Sequence, residues 1–323
     1  MSYTFEKQVA VEAVTRAALL CTTVRAAMVG PAYVQKGDRS PVTIADFGAQ
    51  ALVCQRLSEA FPRDSIVAEE DATVLRKREH TDLLDQVTRY VRQALPGATR
   101  RAICDWIDLG GGQPDGRFWT LDPIDGTKGF LRNDQYAVAL ALIENGEVKV
   151  GALACPALPL DTDARVGAVG VLFVAVRGEG AYLAPLGGGP AARIHIARGP
   201  ASRRFVESVE AAHGNQDLQA EVAQAVGITQ PALRMDSQAK YGAVARGDAV
   251  LYLRLPSPKS PDYYENIWDH AAGTIIVEEA GGRVTDMHGV ALDFTTGTKL
   301  RANRGVVVSN GALHDTAIAA LAQ

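Results

Sequence analysis

The stretch FWTLDPIDGTKGF, residues 118–130, starts as an apolar strand and then sets Asp122 and Asp125 around Pro123-Ile124, with Gly126, Thr127, Lys128 and Gly129 behind them. Proline has no N–H to give a sheet ladder, so the strand is expected to stop at Asp122. Asp125-Gly126-Thr127 reads as the opening of a short helix, whose free N–H groups attract anions. Two acids this close repel each other. A shared cation accounts for them: two carboxylates and the Ile124 carbonyl are three hard oxygen ligands of the kind Mg²⁺ takes alongside water. An ordinary polar turn accounts for them as well.

Further acids sit at comparable places. IVAEED puts Glu69 and Glu70 directly after the apolar Ile66-Val67-Ala68, again at a strand end. SPVTIADFGAQ puts Asp46 in the first turn of a helix, and WDHAAGTIIVEEAGG puts Asp269 in the first turn of an apolar helix that closes on Gly281-Gly282. Each has a plain structural explanation: a solvated pair, or acids favoured by the dipole and open N–H groups of a helix start.

Around these acids the periodicity changes along the chain. Helical spacing covers 5–28, 44–60 and 81–95, while 96–117, with two prolines, three arginines and a Gly-Gly-Gly run, reads as an exposed connection. YAVALALI, the Asn145-Gly146 turn and VKVGALACP form a buried hairpin, and 169–183 adds two strands. PLGGGPAAR, 185–193, has linker composition and divides the chain into 1–190 and 191–323. Beyond it, candidate strands at 204–210, 232–236, 248–254 and 305–309 alternate with helices near 216–226, 238–246, 268–280 and 311–322. The expectation is an α+β first domain with an antiparallel sheet and a smaller α/β second domain.

Composition narrows the function. The 323 residues are 47% hydrophobic and 22% charged, with a net charge of −4 and a pI near 5.9. That is an ordinary globular balance, and it argues against a nucleic-acid coat or a polybasic membrane binder. Cys21, Cys54, Cys104 and Cys155 are scattered with no paired spacing, so four reduced thiols are expected. No run of about 18 uncharged apolar residues appears, and the amphipathic N-terminus is unlike a signal peptide. A cytoplasmic protein is expected.

AEED, LDPIDGTKGF and IWDHAAG, taken together and in this order, resemble the motifs of the lithium-sensitive, magnesium-dependent phosphatase superfamily of inositol monophosphatase and fructose-1,6-bisphosphatase. GDRSPVTIADFGAQA, YAVALALIENG, MDSQAKY, VLYLRLP and IWDHAAGTIIVEEAGG are similar to its 3′(2′),5′-bisphosphate nucleotidases of yeast and plant type. The resemblance runs from about residue 5 to 315 and is loosest in 72–117 and 156–204.

The resemblance implies a layered αβαβα sandwich of the sugar-phosphatase type. It also implies two or three Mg²⁺ ions held by Glu69, Asp122, the Ile124 carbonyl, Asp125 and Asp269, with Glu70 as a supporting acid. Asp46 and Thr127 would form a dyad in which the Thr127 hydroxyl activates a water held by metal, without a phosphoenzyme. His213, Ser237, Lys240, Arg254 and Asp269 would contact the substrate, although Ala212 departs from a usual glycine beside His213. The implied reaction is hydrolysis of the 3′-phosphate of 3′-phosphoadenosine 5′-phosphate to AMP and phosphate, and also of its sulfated form. The implied partner is thus a small bisphosphorylated nucleotide, with no nucleic acid or membrane, met by a monomer that Li⁺ inhibits at a magnesium position.

Three rivals remain. An inositol polyphosphate 1-phosphatase shares the metal motifs, but SQAKY, 237–241, and YLRLP, 252–256, favour the nucleotide. A non-catalytic nucleotide sensor would be expected to have lost Asp46, Thr127 or a metal acid. A nuclease on long nucleic acid fits poorly with an acidic chain. The loop QKGDRSP, 35–41, reads as a mobile lid over Asp46.

Overall fold

Alanine, valine and leucine at helical spacing, with few breakers, shape the first 60 residues. The structure is a computed structural model and describes residues 2–27, 33–35, 41–161, 169–198, 203–209, 215–260 and 262–322. Helix α1 (Thr4–Ala27) packs on α2 (Ile44–Ala60), which ends ahead of Pro62. The short strands β1 (Tyr33–Gln35) and β2 (Pro41–Thr43) pair antiparallel between them. Small residues such as Ala13, Ala17 and Ala49 let the two helices approach. Together they bury Val9, Leu52 and Val53 against Trp119, Leu140 and Val150 of the sheet beneath.

That sheet has seven strands in chain order. β3 (Ser65–Ala68) is followed by α3 (Thr81–Ala94) and α4 (Arg100–Asp108), then β4 (Arg117–Asp125) and α5 (Thr127–Leu131). β5 (Ala137–Glu144), β6 (Glu147–Pro159), β7 (Val169–Val176), β8 (Gly180–Pro185) and β9 (Ala192–Ile194) complete it. Among the described residues of this sheet, only β3 and β4 run parallel; every later pair is antiparallel. Asn145 and Gly146, both at positive φ (54° and 78°), make the tight β5–β6 turn that an Asn-Gly pair favours.

The second sheet is mixed and has the order β11-β10-β12-β14-β13. Its elements in chain order are β10 (Phe205–Glu207), α6 (Gln216–Ala225), β11 (Leu233–Arg234), α7 (Ala239–Ala245) and β12 (Leu251–Arg254), followed by α8 (Ala271–Glu279), β13 (Arg283–Thr285), β14 (Val306–Ser309) and α9 (His314–Leu321). Helices α7 and α8 lie between the sheets, with Tyr241 and Ile275 in one apolar cluster with Phe173 of the first sheet and Tyr252 and Val306 of the second. A Cβ on Gly273 would come within 2.3 Å of the Tyr241 ring, so only glycine lets α8 press on α7 this closely. Helices α6 and α9 cover the outer face of the second sheet through Val222, Ala317 and Leu253. The layers are therefore α, β, α, β, α.

Four expectations need correction. Residues 96–117 are not simply an exposed connection: α4 buries Ile103 and Ile107, and the glycine run lies along the free edge of β3, with Gly112 N donating to Ile66 O at 2.9 Å and Ala68 N to Gly110 O at 2.8 Å. A Cβ on Gly112 would sit 2.6 Å from the Ile66 carbonyl, so this run is an edge seal built of glycine because the backbones touch. Strand β4 does not stop at Asp122; it continues to Asp125. Asp269 lies in a separate 3₁₀ turn, Ile267–Asp269, ahead of α8 rather than in its first turn. β13 was not foreseen, because three residues after a glycine pair carry no readable period.

Candidate active site

A regular strand sends residues three apart to opposite faces. Asp122 pairs with Ala139 and Asp125 with Ala137, so Pro123 and Ile124 together oppose one residue, Val138. The extra residue is a β-bulge, and it returns both aspartates to the face that carries Ala137 and Ala139, towards α7 and α8. The bulge also removes the need for a ladder N–H at Pro123. Glu69 follows Ala68, which pairs in parallel with Leu121, so the ends of two neighbouring strands put Glu69 beside Asp122. Gly126, at φ 84°, then turns the chain into α5, and the Thr127 hydroxyl donates to the Ile124 carbonyl at 3.2 Å.

The charges at this end of the sheet are gathered and unmatched. Asp122 is 2% exposed, and its Oδ1 has no hydrogen-bond partner among the described residues. Burial, and then repulsion from Glu69, Asp125, Asp269 and Asp46, holds its carboxyl well above the ordinary range. Asp269 is pushed up to about 8 by burial and by Asp125, Glu69 and Glu265. Asp125 is raised by burial, against the electrostatic pull of Lys240, hydrogen bonding from Gln238 and the electrostatic pull of His270. The separately encoded acids therefore feel one another across the same small volume. A buried, unpaired carboxylate oxygen among further carboxylates fits a hard divalent cation, whose charge would reverse every one of these shifts.

On the second-sheet side the ring is closed by cationic side chains held in place. The Lys240 ammonium is buried; it donates to the carbonyls of Ser237 at 2.8 Å and Met235 at 3.5 Å and lies 5.2 Å from the Tyr252 ring centre. Burial lowers its pKa to about 8 against the pull of Asp125. Arg254 Nε donates to Glu265 Oε1 at 3.0 Å, and the guanidinium helps hold that carboxyl down at about 2 although burial opposes it. Glu265 Oε2 lies 3.4 Å from His270 Nε2, whose Nδ1 is 2.7 Å from the Tyr241 hydroxyl. Glu265, Asp269 and His270 each offer a ligand atom, all within 4.8 Å of one another. Ser237 sits at φ 67°, unusual for a residue with a Cβ, and a Cβ on Gly126 would come within 3.0 Å of it.

Glu69, Asp122, Asp125 and Asp269 are thus within electrostatic reach of one another, with Asp46 acting on Asp122 and Lys240 and Arg254 alongside. His213, Ala212 and most of the loop at 35–41 lie outside the described residues. Sequence reading missed Gln50, Gln238, Glu265 and His270. Gln50, one helical turn after Asp46, is fully buried; its Oε1 accepts from Glu70 N at 3.0 Å and its Nε2 donates to Ile107 O at 2.9 Å. A glutamine inside the apolar stretch of α2 was the available signal.

Two stacked α/β layers with acids at the strand ends define a class of phosphatase fold, and the chain belongs to the inositol monophosphatase family, which it matches over residues 4–323. Members of that family are metal-dependent. Within it, the chain is 47% identical to the 3′(2′),5′-bisphosphate nucleotidase of Emericella nidulans over 99% of this chain and 98% of the relative. It is 44% identical to the enzyme of that name from Oryza sativa (95% and 91% covered) and 42% to that of Schizosaccharomyces pombe (100% and 96%). Among solved structures, the fold is shared with Thermotoga maritima IMPase, at a TM-score of 0.65 and 22% identity over 97% of this chain and 94% of that one. CysQ from Bacteroides thetaiotaomicron gives a TM-score of 0.59 at 19% identity over 96% and 98%. Among the described residues, no helix is long and apolar enough to cross a membrane.

Proposed function

We propose that this chain is a Mg²⁺-dependent phosphomonoesterase that hydrolyses the 3′-phosphate of 3′-phosphoadenosine 5′-phosphate, giving AMP and phosphate, and accepts the 5′-phosphosulfate form. The observation that carries the reading is the buried Asp122 carboxylate, whose Oδ1 has no hydrogen-bond partner among the described residues and which lies among Glu69, Asp125 and Asp269. The names of the full-length relatives support the choice of substrate. Residues 1–190 are proposed to supply the metal acids other than Asp269, and residues 191–323 the nucleotide contacts.

Glu69, Asp122, the Ile124 carbonyl, Asp125 and Asp269 are the residues proposed to hold two or three Mg²⁺ ions. When bound, Mg²⁺ supplies positive charge that makes water a stronger acid and offsets charge on the leaving oxygen. The chain's own residues do the rest. Thr127 and Asp46 receive the proton of the attacking water, the carboxylate as final acceptor. As the new P–O bond forms, the bond from phosphorus to the ribose 3′ oxygen breaks, and that oxygen leaves with the bonding pair and takes a proton from solvent water to become a hydroxyl. Lys240, Arg254 and Ser237 are proposed to bind the nucleotide: Arg254, braced by Glu265, offers a planar donor edge to a phosphate, and Lys240 a point charge. His213 is proposed as a further contact.

The test is phosphate release from 3′-phosphoadenosine 5′-phosphate, its sulfated form and inositol 1,4-bisphosphate, with Mg²⁺ and with chelator. Mg²⁺-dependent release with the nucleotide preferred is expected. A higher kcat/KM on the inositol bisphosphate would overturn the substrate assignment.

A further inference from the structure

The acids come from segments far apart in sequence, and something must fix their spacing. Asp125 ends β4 of the first sheet, whereas Asp269, some 140 residues later in the chain, stands in the 3₁₀ turn that precedes α8 and packs on β4 and β5. Gln238 touches both. Its backbone N–H donates to Asp125 Oδ2 at 2.6 Å. Its side-chain Nε2 donates to the Trp268 carbonyl at 2.9 Å, on the peptide that leads into Asp269. Its Oε1 accepts from Gly273 N at 3.0 Å, in the first turn of α8. The residue is 1% exposed.

We infer that Gln238 is a positioning residue: it latches the Asp125 strand end to the Asp269 turn and so sets the distance between two parts of the metal site. This inference rests on the reading of Asp125 and Asp269 as metal ligands. Three features of the surroundings serve the same contact. Ser237 takes a left-handed φ of 67°, which brings the next N–H round to Asp125. Gly126 and Gly129 leave room for the turn: a Cβ on Gly129 would fall 2.9 Å from Asp236 Oδ2, and one on Gly126 would fall 3.0 Å from Ser237 Cβ. Arg132 pairs with Asp236 immediately before it.

An amide is suited to this place and other side chains are not. It must donate to a carbonyl and accept from an N–H within one planar group, and it must do so without adding charge beside acids that already repel. A carboxylate could accept from Gly273 N but would face the Trp268 carbonyl with no proton to give. An apolar chain of equal length would leave both backbone groups without partners. Groups that orient metal ligands from outside commonly change affinity by about 10–100-fold when altered.

The test uses full-length protein and Mn²⁺ alone as probe, followed by electron paramagnetic resonance titration, with thermal unfolding in chelator run in parallel. Gln238→Glu and Gln238→Met are expected to unfold cooperatively in chelator yet to bind Mn²⁺ at least about tenfold more weakly than the wild type. In turnover, the Mg²⁺ concentration for half-maximal rate should rise while KM for the nucleotide stays within about twofold. Unchanged Mn²⁺ affinity in a folded variant would overturn the inference, and so would failure of both variants to fold, which would make Gln238 a core strut only. Absence of Mn²⁺ binding in the wild type would instead overturn the metal-site reading itself, and the latch with it.

Discussion

Two buried polar clusters in this molecule have opposite bookkeeping. In the second sheet, His314 is fully buried between β13, β14 and the start of α9, and both ring nitrogens are used. Thr285 gives its hydroxyl proton to the Asp286 carbonyl, so its oxygen accepts from His314 Nε2 at 2.8 Å; Ser309 then donates to Nδ1 at 2.9 Å. The imidazole is neutral and matched. At the end of the first sheet, Asp122 is buried to a similar degree but has an unpartnered oxygen and four acids acting on it. A polar group buried with its partners fastens a fold. A charge buried without them is a standing cost that only a ligand removes.

The contrast can be broken by experiment. Asp122→Asn, which keeps shape and removes charge, should lower phosphate release by about 10³-fold or more while raising metal-free stability by about 1 kcal/mol. A destabilised variant in chelator would mean that the acids are not mutually repelling. Thr127→Ala should cost about 10²–10³ in kcat at unchanged Mn²⁺ affinity, because it removes a proton relay and not a ligand. An equal loss of metal binding would move Thr127 out of that role.

At the matched cluster the signs reverse. His314→Phe should lower stability by about 2–3 kcal/mol, read by denaturant unfolding, with kcat and KM unchanged, since Thr285 and Ser309 lose their partner. Burial, with the nearby Arg283 charge, lowers the His314 pKa to about 4, while Asp315 pulls weakly the other way. Because the folded value lies below the ordinary value of about 6.5, the contribution is complete above pH 6.5 and fades as pH falls towards 4. Between pH 7 and 4.5 the loss should be about 2 kcal/mol, and it should be missing from the pH dependence of His314→Phe.

Legibility followed the range of the interactions. Helices α1, α2 and α3 and the β5–β6 hairpin were readable because their periods and turn residues act within a few positions. The bulge at Pro123-Ile124 was not: proline signalled an interruption, but only the partner strand decides whether the ladder ends or skips. Likewise, Gly110-Gly111-Gly112 looked like loose chain, because the β3 backbone it seals lies some 45 residues earlier and glycine says nothing about what it touches. Gln50 and Gln238 are single amides in helical contexts, whose partners come from elsewhere in the chain.

The amino-acid order by itself determined which chemical groups were available, where regular elements begin, and, through motifs matched in combination, the family. Local propensity and side-chain chemistry are properties of the chain, so they survive in one dimension. The tertiary structure decided which faces those groups share: the re-phasing of Asp122 and Asp125, the approach of Asp269 and Glu69 to them, and the pairing of Arg254 with Glu265. Electrostatic cost depends on distance and dielectric, and neither exists until the strand ends and the turn before α8 are packed together.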